Sequence, residues 1–162
     1  MKQSTQDLIT YLEQNTIKYA RHSDNEDVLV LGFNTGRASL LLVFTCDEHT
    51  VQLSCRLPFS AQPEQLDAVK DYFTRINYFL KTGCFELDVR DGEMSMRNAT
   101  FLADGRLSAE QTALLLITTT RTTEQYIGGL QDILFRQVAP SAAVKDAQAW
   151  LESSVPPGVL VC

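Results

Sequence analysis

Apolar positions along this chain switch between helical and strand spacing several times, and the switches define its elements. Leu8, Ile9 and Leu12 form a short helical stripe ending near Asn15, with Ser4 placed as its cap and Asp7 three residues on. Residues 17–21 then alternate as a short edge strand. Residues 28–33 are an apolar, β-rich run followed by the turn residues Asn34, Thr35 and Gly36. A two-residue turn at Thr35 and Gly36 sets Leu29 against Leu42, Leu31 against Leu40 and Phe33 against Ala38. A second turn at Glu48 and His49 sets Cys46, Phe44, Leu42 and Leu40 against Val51, Leu53, Cys55 and Leu57. Gln52, Ser54 and Arg56 fall on the opposite face. Both turns keep the same apolar face, which predicts a three-stranded antiparallel meander.

Helical spacing returns after Pro63, a residue suited to a first helical turn because its missing N–H costs nothing there. Leu66, Val69, Phe73, Ile76 and Leu80 recur every three or four residues, and Tyr72 and Phe79 widen the stripe. Lys81 and Gly83 are expected to end this helix. The stretch GCFELDVRDGEMSMRN then reads as a hairpin, because Asp91-Gly92 suits a tight turn that needs positive φ. That turn sets Leu87 against Met96 and Val89 against Met94, with Phe85 extending the apolar face. On the polar face Glu86 meets Arg97 and Arg90 meets Glu93.

Ser108 and Gln111 form a capping box for a third helix. Its stripe runs from Leu114, Leu115, Leu116 and Ile117 to Tyr126, Ile127, Leu130, Ile133 and Leu134. The intervening TTTRTT at residues 118–123, with Gly128-Gly129 beyond, is poor in helix propensity. One long helix strained there, or two helices with a break, is expected. A short helix starts at Pro140-Ser141, with Val144, Ala147, Trp150 and Leu151 on one face, and SSVPPGVLVC reads as an extended appendage. Strands grouped between helices predict an α+β fold, in which an antiparallel sheet (meander plus hairpin) packs against helices. The division is residues 1–138 as the α+β domain and 139–162 as a C-terminal helix and tail.

Composition narrows the function classes. The chain has 162 residues, 44% of them hydrophobic, which suits a globular domain without disulfide or metal staples. A net charge of −6 argues against a nucleic-acid partner, which demands a basic stripe. The N-terminus has no apolar run of signal-peptide type, and no segment reaches the length of a membrane span. A cytoplasmic protein with no membrane partner is expected.

Candidate chemistry is thin. Cys46, Asp47, Glu48 and His49 are all potential metal ligands, but successive strand residues point to opposite faces and Cys46 falls on the buried one. Cys46, Cys55, Cys84 and Cys162 share no C-x-x-C spacing, which favours free thiols, with Cys162 on the tail the reactive one. The glycines of GFNTG and DGRLS lack a phosphate-loop pattern. Ser108 reads as a cap with no histidine to serve it as a nucleophile. The acidic DNED lacks calcium-loop spacing. No catalytic residue, metal or cofactor is therefore assigned. An enzyme would need scattered groups such as His22, Asp24 and Cys84.

Residues 72–98, YFTRINYFLKTGCFELDVRDGEMSMRN, resemble the YbjN family, bacterial proteins described as candidate regulators of sensory transduction. The matching positions are Asn77, Gly83, Phe85, Asp91 and Gly92, with looser similarity in LPFSAQPEQ and LSAEQTALLL; the resemblance spans residues 17–135. That family is similar in fold to type III secretion chaperones, which are small, acidic, usually homodimeric α+β proteins that bind extended client segments. The resemblance implies a non-catalytic interaction module, regulatory or chaperone-like, binding a client protein as a homodimer. Residues 139–162 depart from that pattern and could cover a groove or a dimer surface.

On this reading a client adds to a sheet edge, at residues 17–21 or at the Phe85 hairpin, or lies in an apolar groove. Tyr72, Phe79 and Tyr126 are the candidate partner-binding aromatics. A small-molecule sensor, with hydroxyls of residues 118–123 lining a pocket, is the alternative.

Overall fold

The computed structural model describes residues 1–154, with side chains through residue 149. Its elements run α1 (Gln3–Gln14), β1 (Ala20–Arg21), β2 (Val28–Asn34), β3 (Ser39–Cys46), β4 (Thr50–Arg56), α2 (Leu66–Asn77), β5 (Cys84–Leu87), β6 (Met94–Phe101), α3 (Ala109–Arg136) and α4 (Pro140–Ser154). The strands form one antiparallel sheet in the order β1-β2-β3-β4-β6-β5, so the hairpin joins the meander through β6. This is the α+β architecture expected from the pattern.

Registry explains the core. Leu31, Leu42, Cys55, Met96 and Phe85 are successive partners across five strands, and all are buried. The neighbouring row is Leu29, Phe44, Leu53 and Asn98. Leu8, Ile9 and Leu12 of α1, Val69, Tyr72, Phe73 and Ile76 of α2, and Leu115, Ile127 and Leu130 of α3 close over this face. α4 packs on α3 and α2 and buries Ala143, Val144 and Ala147. Trp150, Leu151 and Cys162, and the appendage beyond Ser154, lie outside the described side chains.

The meander turn at Glu48 and His49 has the expected register, with Cys46 opposite Val51 and Leu42 opposite Cys55. The other two hairpins are each displaced by two residues. Leu31 pairs with Leu42 and Phe33 with Leu40, because residues 35–38 make a longer turn closed by Thr35 N–H donating to Ala38 O at 2.9 Å. Leu87 pairs with Met94 and Phe85 with Met96, because the loop closes between Asp88 and Glu93. Even displacements keep the strand side chains on their faces, so the core survives the slip, although Val89, expected opposite Met94, falls in the loop and is exposed. Glu86 still bridges to Arg97, now diagonally, while Arg90 turns to Asp88 and Glu93 to Arg56.

Two helix expectations change, and the alternative left open for the third is decided. Lys2, not Ser4, precedes the first turn of α1, and Ser4 and Thr5 are buried inside it. That turn is held from afar: Asp27 accepts from Lys2 N–H (2.7 Å), Lys2 Nζ (3.0 Å) and Thr5 Oγ1 (2.6 Å). α2 ends at Asn77 rather than near Lys81, which leaves Phe79 outside the stripe. α3 is continuous over 28 residues, capped by Ser108 and Gln111 as expected. The Thr118, Thr120 and Thr123 hydroxyls donate to carbonyls four residues back, so the threonine run is accommodated without a break.

Candidate functional site

No catalytic group is assembled from the scattered candidates. His22 follows β1 and Cys84 starts β5, at opposite edges of the sheet, about 24 Å apart across five strand spacings. His22 Nδ1 accepts the backbone N–H of Asp24 within a turn (3.2 Å). Burial raises the Cys46 thiol and raises Cys55 to about 11, which makes both inert as nucleophiles. Asp47 caps its own turn through the Glu48 N–H at 2.7 Å. Among the described residues no group of three His, Cys, Asp or Glu side chains could hold a metal ion.

Three of the five resemblance positions, Asn77, Gly83 and Phe85, converge on the junction between α2, β5 and β6, while Asp91 and Gly92 lie in the loop at the other end of the hairpin. Asn77, at the last turn of α2, turns its carboxamide onto the edge of β5. Its Oδ1 accepts from Phe85 N–H at 2.7 Å and its Nδ2 donates to Phe85 O at 3.0 Å. One side chain thereby does the work of a neighbouring strand. Gly83 has φ +72°, and a Cβ there would sit 2.6 Å from Arg97 O. Gly92, at φ +75°, presses on the backbone of Ala61, and Asp91 Oδ1 accepts from Glu93 N–H at 2.9 Å to shape the loop. These residues build the fold.

The three partner-binding aromatics separate. Tyr72 is fully buried and its hydroxyl donates to Tyr126 O at 2.8 Å. Burial also holds the Tyr72 phenol well above its ordinary range. Tyr126 lies against Phe85, which stacks on Phe73, so both tyrosines belong to an aromatic cluster joining α2, β5 and α3. Phe79 alone is at the surface, edge-on to the exposed Tyr78.

The sheet itself offers a surface to a partner. The helices that close over the sheet lie on one face, and the other face is open. There Ala20, Val30, Val43, Ser54, Arg97 and Cys84 form a continuous row. Beside it run Gly32, Leu41, Arg56 and Ser95. The face grades from apolar at β1–β3 (Val28, Val30, Leu41, Val43) to polar and charged at β4–β6–β5, where Arg97 bridges to Glu86. The signal was in the sequence: VLVL and LLLV are continuous apolar runs, and an antiparallel strand wetted on one face should alternate. Of the two edges, β5 is occupied at Phe85 by Asn77, whereas among the described residues β1 carries no such clamp. A separate groove of about 820 Å³ lies between α3 and α4, bordered by Arg37, Asp132, Phe135, Arg136 and Asp146.

A family profile described as "Putative bacterial sensory transduction regulator" matches residues 4–132. The chain belongs to the YbjN family. Among solved structures it is similar to the crystal structure of YbjN, a putative transcription regulator from E. coli. The TM-score is 0.56 at 14% identity, covering 72% of this chain and 83% of that one. At that identity the likeness is one of fold. No curated protein matches the chain. The YbjN match takes in α1, the whole sheet, α2 and most of α3, and stops before α4. No helix among the described residues of this YbjN protein is long and apolar enough to cross a membrane.

Proposed function

We propose that this YbjN protein is a non-catalytic regulatory module that acts by binding another protein, and that it does so as a homodimer. The observation that carries this reading is the open sheet face, whose apolar band lies on β2 and β3 and whose charged border lies on β4 to β6. An amphipathic client segment fits such a face, apolar side over Val30, Leu41 and Val43 and polar side over Arg56 and Arg97. Addition of an extended segment is favoured at β1, since the Asn77 carboxamide already takes the Phe85 position on β5. The element order of helix, meander, helix, hairpin and helix is similar to that of secretion chaperones, which supports the same mode.

Cross-linking in the native cell, followed by affinity capture and mass spectrometry, tests the reading. One dominant protein, cross-linked through a single segment to β1–β3 and lost with Leu41→Glu, supports it. Cross-links confined to the protein itself, with none to a second protein, overturn client binding. A ligand-sensing role is the second reading, resting on the groove between α3 and α4, where two arginines and two aspartates converge. A metabolite that raises the melting temperature of the wild type but not of Asp146→Ala would favour it.

A further inference from the structure

The N-terminal half of α3 exposes apolar side chains that the fold does not use. Leu114 is 56% exposed and Ile117 50%, and both lie on the side of α3 away from the sheet. Phe101 O accepts from Gln111 Nε2 at 3.1 Å and ties the end of β6 to the first turns, while the Phe101 side chain lies with that of Arg97 on the open sheet face. Glu110 and Arg121 continue the same stripe, one at each end. The intervals along the stripe Glu110, Leu114, Ile117, Arg121 are four, three and four residues, the same in both directions. On a 100° helical wheel all four fall within about 60° of arc. Several exposed helical charges pair locally, as Lys70 does with Asp67 and Arg136 with Asp132; Glu110 and Arg121, like Glu13, Lys145 and Asp146, make no ion pair among the described residues.

A stripe that reads the same backwards, with opposite charges at its ends, is complementary to itself. When two copies of α3 lie antiparallel across a two-fold axis, Leu114 of each meets Ile117 of the other. The same operation brings Glu110 onto Arg121, twice. We infer that this stripe of α3 is the surface through which two copies of the chain associate. The inference deepens the homodimeric reading above and rests on it. The stripe is about 16 Å long, and it offers less than the roughly 800 Å² per partner of a standard interface. The dimer is therefore a dissociable one, in the micromolar range.

Sedimentation equilibrium of the full chain, from micromolar to millimolar concentration, tests this. The wild type should be a reversible dimer. Glu110→Arg and Arg121→Glu should each weaken it about tenfold, because each turns two attractions into two repulsions. The double swap should return the dissociation constant to within about threefold of wild type, since the pairs are restored with signs reversed. Leu114→Glu should leave only monomer. Glu110 is in the first helical turn, where Glu110→Arg also opposes the helix dipole, so Arg121→Glu supplies the cleaner single swap and melting curves check that each variant folds. Dimers indifferent to Arg121→Glu and Leu114→Glu would place the association elsewhere and overturn this surface while leaving a homodimer standing. A wild type that is monomeric throughout would overturn the homodimer itself, and client capture would still be judged separately by cross-linking.

Discussion

Asn77 shows how one residue can end a helix and finish a sheet. Its carboxamide presents an acceptor and a donor in the spacing of a backbone, and Phe85 takes both. Asn77→Ala leaves the Phe85 N–H and C=O unpaired and should cost about 2 kcal/mol in urea unfolding. Asn77→Asp keeps the acceptor but sets a carboxylate against a carbonyl, so it should be no better. Asp27 acts similarly at α1, and here pH gives the test. Its hydrogen bonds from Thr5 and Lys2 outweigh burial and hold its pKa at about 2, below the ordinary 3.8. A depressed folded-state pKa means that its stabilisation is present above pH 3.8 and is lost as pH falls towards 2. Asp27→Asn should lower stability at neutral pH and flatten the acid limb of a stability–pH curve between those values. An unchanged acid limb would assign that loss to other carboxylates.

Elements were legible where local chemistry decides them, and less so where a distant partner does. The α3 cap is local, and the box of Ser108 and Gln111 is where the sequence puts it. The α1 start depends on Asp27, more than twenty residues away, which no local pattern reveals. Asp91-Gly92 suits a two-residue turn, yet Gly92 takes positive φ within a longer loop packed against the Ala61 backbone, and the register moves by two. The candidate sites divide the same way. Tyr72 and Tyr126 look like flank residues on a helical wheel, whereas α4 and β5 bury them from sides the wheel does not show. The helix crossing that does this is tight: a Cβ on Gly129 would overlap the Tyr72 hydroxyl and come within 3.0 Å of Ala143 O. Gly129→Ala should therefore destabilise by about 1–3 kcal/mol, although alanine favours a helix by about 1 kcal/mol over glycine. In a Tyr72→Phe background the hydroxyl is gone and the penalty should shrink, read as a positive coupling in a double-mutant cycle. Strictly additive effects would mean that the contact with α4 alone sets the cost.

At the scale of the molecule, the sheet is finished on one side only. Burial on the helix face is nearly complete, and the Val28, Val30, Leu41 and Val43 side chains opposite contribute nothing to that core. Removing their apolar character should thus separate binding from folding. Leu41 is the best probe, because its cross-strand partner is Arg56 and it is 44% exposed. In Leu41→Glu the new carboxylate gains a cation directly opposite, an arrangement worth about 0.2–1 kcal/mol on an antiparallel pair. That gain offsets the lower strand propensity of glutamate, so the melting temperature should stay close to wild type. The same carboxylate stands in the middle of the apolar band and must be desolvated by anything that covers it. Capture of a client should fall by at least about tenfold, the effect of one poorly compensated buried charge. Leu41→Lys, which faces Arg56 with a like charge, should lose both binding and some stability. If Leu41→Glu keeps the client and Leu41→Lys loses it, the client carries positive charge at that point and reads the face electrostatically. Equal loss in both, with stability kept in the first, would identify the apolar band as the binding surface.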